Sequence, residues 1–264
     1  MPPSRHPLPE PSKPQPQTRP SGAGWLPHGS HLVPHSHVQG QLVYAAAGTL
    51  ATTTERGTWV APANRMTWTP PGFAHSHRFY GRTDVRLLNI PVDLCGQLVA
   101  HPSVFAVSPL LREAVLVLTG DRSESRPGAH QRLLAVVIDE LSDTPEQSLH
   151  LPESSDDRLR AVTDLLHADP AQFTTLAELG RVVGASERTL SRLFHTELGM
   201  SFHRWRTTLR IHHALAHLTN GMSVTDTAMA CGWSNPTNLI EAFTEIVGQT
   251  PGSYQADLLR NGGK

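Results

Sequence analysis

Residues 174–194 read TTLAELGRVVGASERTLSRLF, and the fold is read outward from this stretch. Thr175 and Glu178 stand at the spacing of a capping box, which satisfies two backbone N–H groups where a helix begins. Leu176, Leu179 and Val183 then recur on one face, and Gly184 suits a tight turn because a positive φ costs glycine little. Ser186 can cap a second helix, which Leu190, Leu193 and Phe194 would anchor against the first. The pattern predicts a helix-turn-helix with Glu187, Arg188, Ser191, Arg192 and His195 on the outer face. Such a unit lays its second helix in a DNA major groove. Arginine bonds guanine O6 and N7 in bidentate fashion or holds a phosphate. Arg188 is therefore the candidate base reader, with Ser191 beside it and Arg192 shared between base and phosphate.

A second stretch, residues 223–243, repeats the pattern as SVTDTAMACGWSNPTNLIEAF. Ser223 and Asp226 pair a short cap with an acidic partner, and Pro236 falls where the first helical turn tolerates proline. Thr237, Asn238 and Glu241 would face the groove. Asparagine can read adenine and glutamate can accept from cytosine N4, although Glu241 sits awkwardly near phosphates. Between the two units, residues 202–218 predict a long helix with Trp205, Leu209, Ala214, Leu215 and Leu218 buried. Arg204, Arg206 and Arg210 are expected to face outward, with Arg206 counted among the DNA contacts. Residues 181–210 carry a local charge of +4 and residues 211–264 one of −2, so the electrostatic footprint concentrates in the first unit.

Residues 159–255 resemble the AraC-type DNA-binding domain of bacterial transcription regulators. The resemblance rests on Leu190-Ser191-Arg192-Leu193-Phe194, on Gly199-Met200-Ser201-Phe202, on Arg210 with Ala214 and Leu218, and on Gly248-Gln249-Thr250-Pro251 with Tyr254. It implies seven helices and two recognition helices in successive major grooves. Trp233, Ile240, Glu241 and Gln255 depart from the family pattern, which weakens the contacts expected of the second unit but not the fold.

The N-terminal half has a different texture. From about residue 30 to 92, short strand-like runs are punctuated by Gly48, Gly57, Pro62, Pro70-Pro71-Gly72 and Gly81, the signature of a small barrel or sandwich. Residues 108–118 and 129–141 look helical, and Leu133, Leu134, Val137 and Leu141 could cover the barrel or form a dimer seam. His35-Ser36-His37 and Pro70-Pro71-Gly72-Phe73-Ala74-His75 are similar to the two facing segments of the cupin barrel in AraC-type sensory domains. By that resemblance His35, His37 and His75 would hold Zn²⁺, Ni²⁺, Co²⁺ or Fe²⁺, all suited to imidazole. Gln41 stands at the glutamate position and supplies no charge, and His77 is a substitute. Without metal, the same histidines would line a small-molecule pocket with Gln41, Tyr44, Trp59 and Trp68. His6, His28 and His31 lie nearby in sequence.

The whole chain is therefore read as α+β. Residues 1–24, with eight prolines, form a disordered tail; 25–142 a cupin-like β-barrel with flanking helices; 143–156 a polar linker; and 157–260 an all-α double helix-turn-helix domain. The chain has 264 residues, 38% hydrophobic and 17% charged, a globular composition. No run is long and apolar enough for a membrane span, and Cys95 and Cys231 do not suggest a disulfide framework, which fits a cytoplasmic protein. The expected function is ligand-responsive, sequence-specific DNA binding, with promoter DNA, a small-molecule or metal effector, RNA polymerase and a second copy of the chain as partners. A metal-dependent cupin enzyme or a metal sensor fused to a DNA-binding domain is the alternative. No nucleophile triad, phosphate loop or dinucleotide fingerprint points to another enzyme class.

Overall fold

The computed structural model describes residues 21–120, 127–147, 149–172 and 174–262. The strand-rich half contains β1 (Gly22–Leu26), β2 (His31–His35), β3 (Gly40–Thr54), β4 (Gly57–Pro62), β5 (Arg65–Thr69) and β6 (His75–Ile90). There follow α1 (Val92–Cys95), β7 (Ser103–Ala106), α2 (Pro109–Leu118), α3 (Pro127–Asp143) and β8 (His150–Pro152). The helical half runs through α4 (Asp157–Ala168), α5 (Leu176–Val183), α6 (Glu187–Leu198), α7 (Phe202–Thr219), α8 (Val224–Ala230), α9 (Pro236–Val247) and α10 (Pro251–Gly262). This is the α+β arrangement expected. Residues 1–20, most of the expected tail, and His6 lie outside the described residues. Gly22 to Gly24, placed in that tail, pair with β6 instead.

The eight strands form one antiparallel sheet organised by two long strands, β3 and β6, which pair with each other from end to end. Each changes its other neighbour midway: β3 pairs with β5 and then β4, and β6 with β2 and then β1. Bulges between Ala45 and Thr49, with Gly48 at φ 85°, bring about the change in β3. Because side chains alternate along a strand, an extra residue exchanges the two faces. Val43 and Ala45 point to the inner cluster before the bulge, and Leu50 does so after it. On the outer face, Leu42, Tyr44 and Ala46 lie under α2 and α3, whereas Ala51 packs against the C-terminal helices. One strand thus supports both helical layers and lines the interior.

Three larger cores follow. α2 and α3 cover the first half of the sheet with Leu111, Ala114, Val115, Leu134, Val137, Ile138 and Leu141. The first helix-turn-helix closes over Leu159, Val162, Leu179, Leu190, Phe194 and Trp205. The second shares a core with the sheet itself, in which Ala51, Trp59, Val60 and Ala61 meet Ile211, Leu215, Leu218, Phe243 and Tyr254. The segment expected as a linker is partly structural. Leu149 and Leu151 are apolar at alternate positions and fully buried, and residues 150–152 add to the sheet edge as β8, paired with β4.

Candidate DNA-reading face and histidine centre

The first unit assembles from local signals. Thr175 Oγ1 accepts from the Glu178 backbone N–H, and the Glu178 carboxylate accepts from the Thr175 N–H, completing the capping box. Gly184 adopts φ 69° and ends α5, and the Ala185 N–H donates back to the Gly180 carbonyl. Ser186 then caps α6 by accepting from the Thr189 N–H. Gly180 was not singled out in the sequence, although a Cβ there would lie 2.3 Å from Ala185 O. Periodicity does not show how closely the next turn crosses over a helical residue.

α6 buries Leu190, Leu193, Phe194 and Leu198 and turns its other face to solvent. Glu187, Arg188, Arg192 and His195 are exposed, and Ser191 is half-buried among them. Arg188, Thr189, Ser191, Arg192 and His195 line one shallow depression, and the His195 Nδ1–H donates to the Ser191 carbonyl. All the α6 residues singled out in the sequence therefore share one face. On α9, Asn235 caps the helix through the Asn238 N–H, and Thr237, Asn238 and Glu241 are exposed as expected. The Asn238 side-chain amide is held by Ser234 Oγ at 3.3 Å.

Of the α7 arginines, Arg204 keeps an exposed side chain as expected, whereas Arg206 and Arg210 turn inward. Arg204 pairs with Glu245 of α9, Arg206 Nη1 donates to Thr174 O at 3.0 Å, and Arg210 Nε donates to Pro170 O at 2.9 Å. Arg206 also lies over the Phe202 ring, and burial pulls its guanidinium below the ordinary range. Its Nε and Nη2 are buried without hydrogen-bond partners, so Arg206 is packed inside the domain instead of standing toward DNA. Loop carbonyls at 170 and 174 attract Arg210 and Arg206, and sequence spacing gives no sign of them.

The histidine centre lies on the inner face of the sheet. His35, His37, Gln41, His75 and His77 are all buried, with ring centroids 4.5 Å apart for His35 and His75 and 5.0 Å for His75 and His77. The nitrogen atoms that His35, His75 and His77 can offer a metal lie within 4.8 Å of one another. His77 joins His35 and His75 of the expected trio, and the His37 ring lies beside them, 4.8 Å from His35 and 5.1 Å from His75. The Gln41 amide N–H donates to His37 Nε2 at 2.7 Å, whereas His77 comes from β6 two residues after His75, on the same side of the strand. His28 is used elsewhere, accepting from the Gly81 N–H.

Hydrogen bonds set the tautomers. The Nδ1–H groups of His35 and His75 donate to the carbonyls of Val33 and Phe73 at 2.7 and 2.9 Å. Thr67 donates to Val43 O and Thr52 to Thr67, so Thr52 Oγ1 accepts from His77 Nδ1. In the neutral rings, Nε2 of His75 and of His77 then turn a lone pair toward Gln41 Oε1, at 3.2 and 3.3 Å. Burial lowers His75 to about 4, so it is neutral at physiological pH. The Nε2 lone pairs of His75 and His77 thus converge beside Gln41, the arrangement a bound cation would use. The carbonyls of Val33 and Phe73 and the Thr52 hydroxyl fix the ring orientations that a metal requires. The donor set fits a divalent transition metal.

The aromatic residues expected around this centre lie elsewhere. Tyr44 and Trp68 are on the opposite face of the sheet, in the core under α2 and α3, and Trp68 Nε1 donates to Val99 O at 2.8 Å. Trp59 belongs to the core shared with the C-terminal helices and stacks on His150 at 4.0 Å. Tyr44 stands three residues from Gln41 on β3 and Trp68 is paired with Leu42, so strand alternation puts both on the outer face.

A profile of the helix-turn-helix domain family matches residues 179–257. The HTH-type transcriptional regulator NimR of Escherichia coli (strain K12) is 33% identical over 228 residues, covering 85% of this chain and 82% of its own length. RipA of Corynebacterium glutamicum, also an HTH-type transcriptional regulator, is 34% identical over 97 residues, 37% of this chain and 29% of its own. Among solved structures, a DNA-binding transcriptional dual regulator from Escherichia coli K-12 covers 42% of this chain and 96% of its own at 22% identity and TM-score 0.37. Fatty-acid-bound ToxT from Vibrio cholerae covers 89% of this chain and 94% of its own at 10% identity and TM-score 0.39.

Proposed function

The chain belongs to the AraC-type helix-turn-helix transcriptional regulators, and on that premise we propose that it reads promoter DNA mainly through α6 and responds to an effector at the histidine centre. The observation that carries the reading is the α6 face. Arg188 and Arg192 are exposed one helical turn apart with Ser191 between them, on a helix capped at its N-terminus by Ser186. α9 presents Thr237, Asn238 and Glu241, polar but with no cation, so it adds specificity more than affinity. Selection of bound duplexes from a random pool by the full chain tests this. One enriched motif is expected, with its strongest positions under α6; an unenriched pool would overturn it.

The converging imidazoles favour a divalent transition metal as the effector, held by His35, His75 and His77 beside Gln41. Bound there, the ion would act as a structural signal, and we assign no catalytic step to the centre. Equilibrium dialysis against Zn²⁺, Ni²⁺, Co²⁺ and Fe²⁺ should give about one equivalent for one of these ions. His75→Ala and His77→Ala should abolish uptake, and His37→Ala should retain it. No uptake by the wild type would remove the metal.

The same reading includes homodimerisation and contact with RNA polymerase. Support for the dimer comes from α2, whose outward Leu110 and Val117 are 53% and 60% exposed one above the other. Among the described residues no helix is long and apolar enough to cross a membrane, and we place the protein in the cytoplasm with its promoter DNA.

A further inference from the structure

A regulator with two reading helices must hold them at one separation, and the structure places a single side chain at the meeting point of the two units. Arg210 leaves the middle of α7. Its Nε donates to Pro170 O, in the connection that leads from α4 to α5 in the first unit. The same guanidinium lies 5.8 Å from the centre of the Trp233 ring, in the turn of the second unit. Between them, Gly232 at φ 77° approaches so closely that a Cβ would stand 2.6 Å from Ala171 Cα and 2.9 Å from Arg210 Nη2. The two units touch through backbone here, without a layer of side chains to adjust.

α7 adds a contact on either side. Arg206 holds Thr174 O, just before the cap of α5, and Arg204 holds Glu245 near the C-terminal end of α9. Thr175 starts α5, which carries α6, and Trp233 precedes the cap of α9. A shift at the Arg210 contact therefore moves both recognition helices relative to one another while leaving the core of each unit intact.

We propose that Arg210, seated between Pro170 O and Trp233, is a positioning residue that sets the spacing at which the two recognition helices meet DNA. It touches no base itself. The inference rests on the reading that α6 and α9 contact the same duplex in successive major grooves. DNA tolerates little error in such a register, because each added base pair both translates and rotates the second contact.

The test uses the full chain and the duplex selected as above, with versions carrying one base pair inserted or removed between the two contacted segments, and a half-length duplex carrying the α6 segment alone. The wild type should prefer the selected spacing roughly tenfold or more, the size of a mismatch. Arg210→Ala should bring that preference to within about twofold at unchanged affinity for the half-length duplex, since a loss of two contacts relaxes geometry without touching α6. Arg210→Lys, which keeps a cation and a donor, should retain most of the preference. Trp233→Leu removes the other side of the contact and should behave like Arg210→Ala, which covers the case in which that variant does not fold. Unaltered spacing preference in both Arg210→Ala and Trp233→Leu would overturn the proposal. A wild type that protects only one segment and ignores spacing would instead overturn the underlying two-contact reading.

Discussion

Thr49 and Tyr254, 205 residues apart, share a hydrogen bond across the junction between the sheet and the helical half. Thr219 of α7 completes a triangle of hydroxyls, 2.8 Å from Thr49 and 2.7 Å from Tyr254. Thr49 is on the same strand as Gln41, which touches three of the histidines, and Thr52, which orients His77. The histidine centre and the helical half are thus joined through one strand.

Removing the Tyr254 hydroxyl should weaken that junction modestly. Burial raises this phenol to about 12, so it remains a neutral hydrogen-bonding group across the usable pH range. Tyr254→Phe leaves Thr49 and Thr219 to bond each other and should cost about 1 kcal/mol, whereas Tyr254→Ala also loses the buried ring and should cost about 3–5 kcal/mol. Urea unfolding of the two variants measures both. Equal losses would show that the hydroxyl alone carries the contact, and no loss in Tyr254→Phe would show that the ring alone does.

Stability should fall in mild acid, and His212 should be a principal cause. Its ring is buried at the junction, Nε2 donates to Leu149 O at 3.2 Å, and burial lowers it to about 3. His213, lowered to about 4, and His150 and His167, also lowered by burial, are the imidazoles near it, with Asp164 beside His167. A depressed folded value means that the unfolded chain takes up the proton first as pH drops. The stabilisation is complete above about 6.5 and is lost progressively toward about 3. Urea midpoints between pH 7.5 and 5 should therefore decline, and His212→Gln, which keeps a donor but does not titrate, should flatten the decline. An unchanged slope in that variant would place the acid sensitivity elsewhere.

The two glycines of the first turn should respond very differently to alanine. Gly184 has φ 69° with open space where a Cβ would go, so only the left-handed backbone resists, at about 1–2 kcal/mol. Gly180 has an ordinary helical φ, but its Cβ would strike a backbone carbonyl at 2.3 Å. Gly180→Ala should therefore be the more damaging change in thermal unfolding, the reverse of what turn geometry alone would suggest.

Trp68 should matter to stability and not to the histidine centre. Trp68→Phe loses the bond to Val99 O and some packing, an effect of about 1–3 kcal/mol, and should leave metal uptake unaltered. Loss of uptake in a variant that remains folded would return Trp68 to the pocket wall.

These contrasts mark how far the sequence can be read. The helix-turn-helix was legible because its signals are local: Thr175 with Glu178, Gly184 and Ser186 act within one turn of their partners, and α6 shows its apolar anchors at helical spacing. The histidine pair on β6 was visible as residues, but the contact of Gln41 with His37, four residues away, was not. Tyr44 and Trp68 misled because a pocket needs aromatic walls and composition does not say which face a side chain takes; Tyr44 lies three residues from Gln41 and Trp68 pairs with Leu42, so both stand on the face opposite the histidines. Arg206 and Arg210 misled because their acceptors, Thr174 O and Pro170 O, lie 32 and 40 residues away.

The central claim is that α6 reads sequence, and Arg188 tests it most directly. At fixed salt, the affinity of the full chain and of Arg188→Ala is measured for the selected duplex and for duplexes with each base pair beneath α6 replaced. The expected result is a loss of about 1–3 kcal/mol on the selected duplex, together with relaxed discrimination at one or two adjacent positions and little change on unrelated DNA. Undiminished affinity with discrimination intact, or an equal loss on all duplexes, would contradict it.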